Sequence, residues 1–301
     1  MNARSITVPA STANLGPGFD SLALALDLHN TFVIEPAQEG WEISIRGEGS
    51  EELPRDDTNL FLQSAERVFS HFHTWPHGFR IRANNQIPIR SGLGSSSTAV
   101  IGGIQAACLL LNEELDQDAM LSLALELEAH ADNASAALLG GLVVVGTNVQ
   151  QVVARQVPIP SISVVVVLPD IQRTTSSMRH LLPAQVSHAD AVFNLSRTAL
   201  TIEALRSADY DLLRWAMDDK LHQPYRSKLI PGYDAVRQAA LDAGAAAVTL
   251  SGAGPSMVAF APSNLPEIDD AMREAFLTFQ TESRSFILGL DQIGTQVADF
   301  P

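Results

Sequence analysis

The residues of this chain that could do chemistry cluster in short glycine-rich segments. The central one is Gly92-Leu93-Gly94-Ser95-Ser96-Ser97. It follows Ile87-Pro88-Ile89-Arg90, and behind it Thr98 to Leu111 is rich in Ala, Ile and Leu and reads as a buried helix. A helix start offers unpaired N–H groups and about half a positive charge, which attracts phosphate. Gly92 and Gly94 let the backbone approach a bulky anion. Ser95, Ser96 and Ser97 add hydroxyls for phosphate oxygens or for Mg²⁺. The same residues also suit a capped helix with no ligand. The Walker pattern G-x-x-x-x-G-K-[ST] is absent, and Ser97 stands where G-x-G-x-x-G needs its third glycine.

Two further segments flank this one in the sequence. Ala13-Asn14-Leu15-Gly16-Pro17-Gly18-Phe19-Asp20 sets Asn14 and Asp20 on a stiff Gly-Pro-Gly turn, and Ser251-Gly252-Ala253-Gly254-Pro255 is a tight glycine turn. Each alone reads equally as an ordinary loop. His71, His73 and His77 match no closed set of metal ligands and read as a solvated helix end. The acidic string from Glu48 to Asp57 reads as a solvated loop.

Bulk properties narrow the partners. The chain has 301 residues, 46% of them hydrophobic and 18% charged, enough for two modest domains with full cores. A formal charge of −15 argues against a nucleic-acid backbone or an anionic membrane as partner, though not against a nucleotide in a locally positive pocket. Lys220 and Lys228 are the only lysines. Phosphate must therefore be held by backbone N–H groups, metal and Arg. The single cysteine, Cys108, lies in an apolar stretch and reads as core. With no disulfide framework, no signal core at the N-terminus and no membrane-length apolar run, a cytoplasmic protein is expected.

The positioning elements follow from periodicity. Ile6 to Val8 reads as a strand and Pro9 to Asp20 as a turn. Thr31 to Pro36 and Trp41 to Arg46 read as a hairpin, and Gly78 to Ala83 as a further strand. Helices are expected over Asn59 to Phe72 and Asp116 to Ala129, then a strand over Leu142 to Val145. Past a proline-marked change of texture, Ile162 to Leu168 is a buried strand. Helices follow over Ala189 to Ala204, Tyr210 to Asp218, Tyr233 to Ala243 and Leu265 to Phe279. Strands are expected over Ala246 to Leu250, Met257 to Ala261 and Arg284 to Leu290. The order is α+β with a boundary near residue 155.

Taken together, three segments resemble the signature motifs of the GHMP kinases, the superfamily of galactokinase, homoserine kinase and mevalonate kinase. They are Pro9 to Asp20, Ile87 to Ser97 and Ser251 to Pro255, and the resemblance runs nearly end to end. Within the superfamily the details are similar to the homoserine kinases. Glu128-Ala129-His130-Ala131-Asp132-Asn133 resembles their Glu-Gly-His-Pro-Asp-Asn segment, with Ala129 and Ala131 as departures. Thr175-Ser176-Ser177-Met178-Arg179 and His222-Gln223-Pro224-Tyr225-Arg226 resemble their two arginine segments.

The resemblance implies a two-domain GHMP kinase fold, ribosomal protein S5 domain 2-like over residues 1–155 and ferredoxin-like over 156–301. It implies ATP-dependent phosphorylation of L-homoserine in threonine biosynthesis, in a family where homodimers are common. ATP is expected on Gly92, Leu93, Gly94, Ser95, Ser96 and Ser97, with Asn59 near the adenine. Mg²⁺ is expected on Glu128 and Ser96, with Ser97 the alternative to Ser96. Arg179 and Arg226 are expected on the substrate carboxylate, Thr175 and Gly252 beside it, and Asp20 on the ammonium. Asn14 and Asn133 would orient the reacting hydroxyl, and Asp132 is the candidate base. Alternatives are a mevalonate-type kinase of the same superfamily, for whose substrate Asp20 has no ammonium to meet, or a nucleotide-binding sensor without turnover.

Overall fold

The computed structural model describes residues 3–128, 130–148, 151–171 and 175–300, and the side chains of all of these except 175 and 176. The chain begins β1 (Arg4–Ala13), β2 (Leu22–Pro36), β3 (Gly40–Gly47), α1 (Leu60–His71), β4 (Gly78–Asn85), α2 (Ser95–Leu111), α3 (Gln117–Leu125), α4 (Asp132–Leu139), β5 (Leu142–Thr147) and β6 (Val152–Val157). It continues β7 (Ser163–Pro169), α5 (Thr175–Arg179), α6 (His188–Ser207), α7 (Tyr210–Ala216), α8 (Gln223–Arg226), a 3₁₀ turn at Ser227–Leu229 and α9 (Tyr233–Asp242). It closes with β8 (Ala247–Leu250), β9 (Met257–Phe260), α10 (Leu265–Thr278), β10 (Ser283–Gly289) and β11 (Gln296–Asp299).

Two sheets result. The first runs β11-β1-β2-β4-β3, with β5 paired to β2 and β6 to β5. The second runs β10-β7-β9-β8, all antiparallel. With helices between β7 and β8 and between β9 and β10, this is the expected ferredoxin-like arrangement.

Burial explains the strand patterns. Val164 and Val166 of β7 face a core shared with Leu24, Leu26 and Leu142 of the first sheet. Val165 and Val167 face a separate core with Val236, Ile268 and Phe276 from α9 and α10. A strand covered on both faces reads as an unbroken β-branched run. The third core lies under α1, α2, α3 and α4, where Val100 and Ile104 of α2 meet Phe32, Ile34 and Phe61. Cys108 belongs there, and burial pushes its thiol up to about 11.

The structure corrects several expected elements. Thr31 to Pro36 and Trp41 to Arg46 do not form a hairpin. β3 pairs in parallel with β4, which lies between β3 and β2. β3 buries only Ile43 and Ile45, whereas β4 alternates buried and exposed residues along its length. β4 takes the interior place and the more exposed β3 the edge. Pro9 to Asp20 is not all turn, because β1 continues to Ala13. Its register slips between Pro9 and Ala10, a bulge that accommodates a residue with no N–H. The helix expected over Asp116 to Ala129 ends at Leu125, and Ala129 lies outside the described residues. The short α4 and the strands β6 and β11 carry too few residues to announce themselves by periodicity.

Candidate active site

The central loop enters α2 with its backbone in the left-handed region, at φ 82° for Gly92 and 70° for Gly94. A Cβ on Gly92 would stand 2.3 Å from the Ser251 carbonyl, and one on Gly94 2.1 Å from the Ser11 hydroxyl. Only glycine fits either position. Gly94 is the N-cap residue and brings no side chain to the first turn. The opening N–H groups of α2 therefore have no side-chain cap from that position and remain donors for an anion.

The three glycine segments meet in space. Ser11 N–H donates to the Leu93 carbonyl at 3.0 Å, and Gly252 N–H to that of Ala13 at 3.1 Å. The Ser251 hydroxyl donates to the Gly92 carbonyl at 2.7 Å. Asn14 donates through Nδ2 to the Gly252 carbonyl at 2.7 Å and accepts from Asp20 N–H at 2.9 Å. Leu93 itself is turned away. Its side chain lies in the core between the sheets and its N–H is held by the Ser91 hydroxyl at 3.2 Å.

Beside the loop opens a cavity of about 370 Å³. One side is apolar, with Phe32, Ile43, Ile45, Leu53, Phe61 and Ala83. Asn59 and Asn85 belong to this wall. Asn59 caps α1 through Oδ1 and donates Nδ2 to the Pro54 carbonyl. Asn85 donates to the Glu48 carbonyl, and its buried Oδ1 has no partner among the described residues. The other side is polar, with Asn14, Asp20, His130, Asp132, Asn133, Arg179, Arg226 and Gly252. Gly92, Gly94, Ser95 and Ser96 line it as well. Three arginines, Arg90, Arg179 and Arg226, line this space together with Asp20 and Asp132; Arg90 is paired with Glu52 at 2.6 Å and Arg179 with Asp20, so the cations are fixed by local carboxylates on an acidic protein.

Charge placement here is specific. Arg179 holds Asp20 in a bidentate pair, and its guanidinium and that of Arg226 lie 5.3 and 5.2 Å from the Phe19 ring centre. Arg226 is almost fully buried, and burial together with the neighbouring Arg179 pushes it down to about 10, still charged at neutral pH. Asp132 is also buried. Burial, with lesser contributions from Asp20 and Glu128, pushes its carboxyl up to about 6 against the opposing pull of His130 and the Asn133 N–H. Ser11 donates to Asn133 Oδ1 at 2.8 Å, which fixes the direction of that amide. Glu128 accepts from Ser96 at 2.6 Å on one oxygen and from Ser97 at 2.7 Å on the other. Ser96 faces the cavity and Ser97 is buried beneath it.

Comparison with known proteins gives the same picture. The model of the GHMP kinases N terminal domain matches residues 59–141, and that of the GHMP kinases C terminal domain matches residues 201–277. The homoserine kinase of Carboxydothermus hydrogenoformans is 40% identical over 278 residues, covering 92% of this chain and 91% of that protein. That of Moorella thermoacetica is 43% identical, covering 90% and 92%.

The chain belongs to the GHMP kinase family.

The crystal structure of homoserine kinase from Cytophaga hutchinsonii superposes on this GHMP kinase with a TM-score of 0.89 at 29% identity, covering 99% of this chain and 98% of that one. The two-domain GHMP kinase fold is thus the fold of this chain, and ATP use follows from membership in a kinase family. Of the expected site residues of this GHMP kinase, Leu93, Ser97 and Glu128 lie behind the cavity wall, while Thr175 has its side chain outside the described residues. The others line one space. Sequence reading gave no role to Ser11, Arg90, His130 or Asn85. Ser11 and His130 stand inside recognised segments and could have been drawn from them. Arg90 and Asn85 carry no local signal, because the fold alone brings them to the cavity. The loop from Glu48 to Asp57, read as plainly solvated, contributes Leu53 and Pro54 to the apolar wall.

Proposed function

We propose that this GHMP kinase transfers the γ-phosphoryl group of ATP to the side-chain hydroxyl of L-homoserine. The observation that carries this reading is the set Asp20, Arg179 and Arg226 on one side of the cavity. A free amino acid presents a carboxylate and an ammonium together. A paired arginine fork and carboxylate, with a second buried arginine, answers both charges. The similarity to proteins named homoserine kinase supports the same choice.

ATP would lie with its base against Phe32, Ile43, Ile45 and Phe61, beside Asn59, and its phosphates at the start of α2. The unpartnered Oδ1 of Asn85 offers the base an acceptor. Asn14 and Asn133 would hold the reacting hydroxyl, with Gly252 and Thr175 beside the amino acid. The donor set of Ser96 and Glu128 is all hard oxygen, which fits Mg²⁺ completed by phosphates and water. Bound there, Mg²⁺ would neutralise charge on the phosphates. Asp132, held near 6, is ionised at neutral pH and suited to take the hydroxyl proton as the oxygen attacks phosphorus. The rest of catalysis is positioning and charge. The reading assigns residues 1–155 to the ATP-binding unit and 156–301 to the C-terminal unit, with β11 returning to the first sheet.

The test is an ADP-release assay with Mg-ATP across homoserine, mevalonate and sugars. Turnover on homoserine with little on the others is expected. Preference for mevalonate, which has no ammonium, overturns the substrate. No turnover on any of them replaces the kinase reading with a nucleotide sensor.

A further inference from the structure

His222 has no assigned part in the site, yet it is fully buried between two pieces of it. Its Nε2 lies 2.8 Å from the Gly16 carbonyl and its Nδ1 3.2 Å from Arg226 Nη1. A carbonyl only accepts and a guanidinium only donates. Nε2 must therefore carry the hydrogen and Nδ1 must be bare. The partners fix the tautomer: an Nδ1 that accepts from a guanidinium belongs to a neutral ring, and burial pushes the imidazole below its ordinary range against the pull of Asp219, whose Oδ2 lies 3.5 Å from Nε2.

Both ends of this bridge are rigid. Gly16 sits at φ 74°, where an added Cβ would meet the Met217 carbonyl at 2.3 Å. The neighbouring Pro17 carbonyl accepts from Asn194 and from Thr198. Asp219 holds the other end. One of its oxygens accepts from Leu221 N–H and from Asn194, and the other from the N–H groups of His222 and Gln223. The Phe19 ring stacks on the imidazole at 5.2 Å. Arg226 stands four residues on, one helical turn above His222, and also donates through Nη1 to the Gly252 carbonyl at 3.3 Å. Two acceptors on one guanidinium nitrogen fix the plane of the fork while its Nε finds no partner among the described residues.

We propose that His222, as the neutral Nε2–H tautomer, is a positioning residue that aligns Arg226 with the substrate carboxylate. The inference rests on the amino-acid reading of the cavity. It predicts that His222 acts on substrate binding through Arg226 and through nothing else in the site.

Two measurements test it on the full-length protein. The first is kinetic, a double-mutant cycle on homoserine. His222→Leu is expected to raise KM for homoserine about 10-fold or more, the cost of losing a hydrogen bond to a charged group, with KM for ATP unchanged. His222→Asn, which offers an oxygen near the Nδ1 position, should restore most of it. In an Arg226→Met background His222→Leu should add nothing. Additive effects, or equal losses for homoserine and ATP, overturn the proposal. The second is ¹⁵N NMR of the histidine rings, with His222 identified by its absence in His222→Asn. A bare Nδ1 and protonated Nε2 from pH 6 to 8 is expected, and an Nδ1–H tautomer overturns the proposal even if the leucine variant fails to fold. Wild-type failure on homoserine would sink the substrate reading, while the NMR result would still decide the tautomer.

Discussion

Arg179 grips Asp20 with two parallel hydrogen bonds, Nη1 to Oδ2 at 3.0 Å and Nη2 to Oδ1 at 2.7 Å. Both side chains are about one-third exposed, at 35% and 34%, and they face the cavity. Each group thus answers the other in the charge pattern that a zwitterion would supply. On the proposed reading, entry of an amino acid would exchange one ion pair for two.

Substituting either partner should separate binding from stability. Arg179→Met or Asp20→Ala is expected to raise KM for homoserine about 100-fold, as loss of a charge-assisted contact does. Stability should fall by no more than about 1 kcal/mol, since the pair is open to solvent. Steady-state kinetics and urea titration of the same variants check both. A large stability loss with unchanged KM would make the pair structural.

Asp132 gives a prediction in pH. Its carboxyl is held at about 6 in the folded chain against an ordinary value of 3.8. The folded state keeps a proton that the unfolded state releases, so this contribution is full below about pH 4 and is lost as pH rises through about 6. Asp132→Asn removes it. The variant should then be more stable than wild type above pH 6, by an amount on the order of 3 kcal/mol, and should lose that advantage towards pH 4. Urea midpoints across that window measure this. As the proton acceptor, Asp132 should also give kcat/KM a limb near pH 6, and Asp132→Asn should cost about 10³-fold in kcat. Turnover within tenfold of wild type would leave Asp132 an orienting role only.

Ser96 and Ser97 both donate to Glu128, but only Ser96 lines the cavity. Ser97→Ala should therefore raise the half-saturating Mg²⁺ concentration about 10-fold, as loss of a supporting contact does. Glu128→Gln should cost more, and EDTA should abolish turnover until Mg²⁺ is restored. The measurement is a magnesium titration at fixed ATP. Equal effects of Ser97→Ala and Glu128→Gln would contradict the division of roles.

Gly94→Ala tests the packing of the loop. The new Cβ would fall on the Ser11 hydroxyl, which holds Asn133, at a residue already at φ 70°. Strain of about 1–3 kcal/mol is expected. Thermal unfolding should show a drop of roughly 2–4 °C per kcal/mol, with a fall in kcat from the displaced Asn133. Ser11→Ala should reproduce the fall in kcat with a smaller loss of Tm.

The phosphate loop was legible because its glycines and serines stand in compact runs. Loop and helix start could be named from local order, and Arg179 and Arg226 only through the resemblance of their segments to a family. The long apolar run of α2 and the β-branched run of β7 were equally plain, since burial on all sides leaves continuous hydrophobic sequence. What stayed hidden depends on distant pairing. Nothing near Trp41 to Arg46 says that a strand more than thirty residues on will lie between it and β2. The apolar wall draws on β2, β3, β4, α1 and a loop, so no window of sequence contains it. The mutual grip of Asp20 and Arg179 was also invisible, because their separate roles were read towards a ligand and not towards each other.

The last strand has a bearing on how the protein is made. β11 pairs with β1, joining the final strand to the first. Translation delivers residues at about 5–20 per second from the N-terminus, so β1 waits through the synthesis of everything between with that edge open. A bare strand edge recruits other strands. Chains that stop before Gln296 should therefore be the ones that need chaperones on the ribosome and collect in inclusion bodies, even though every cavity residue has by then been translated.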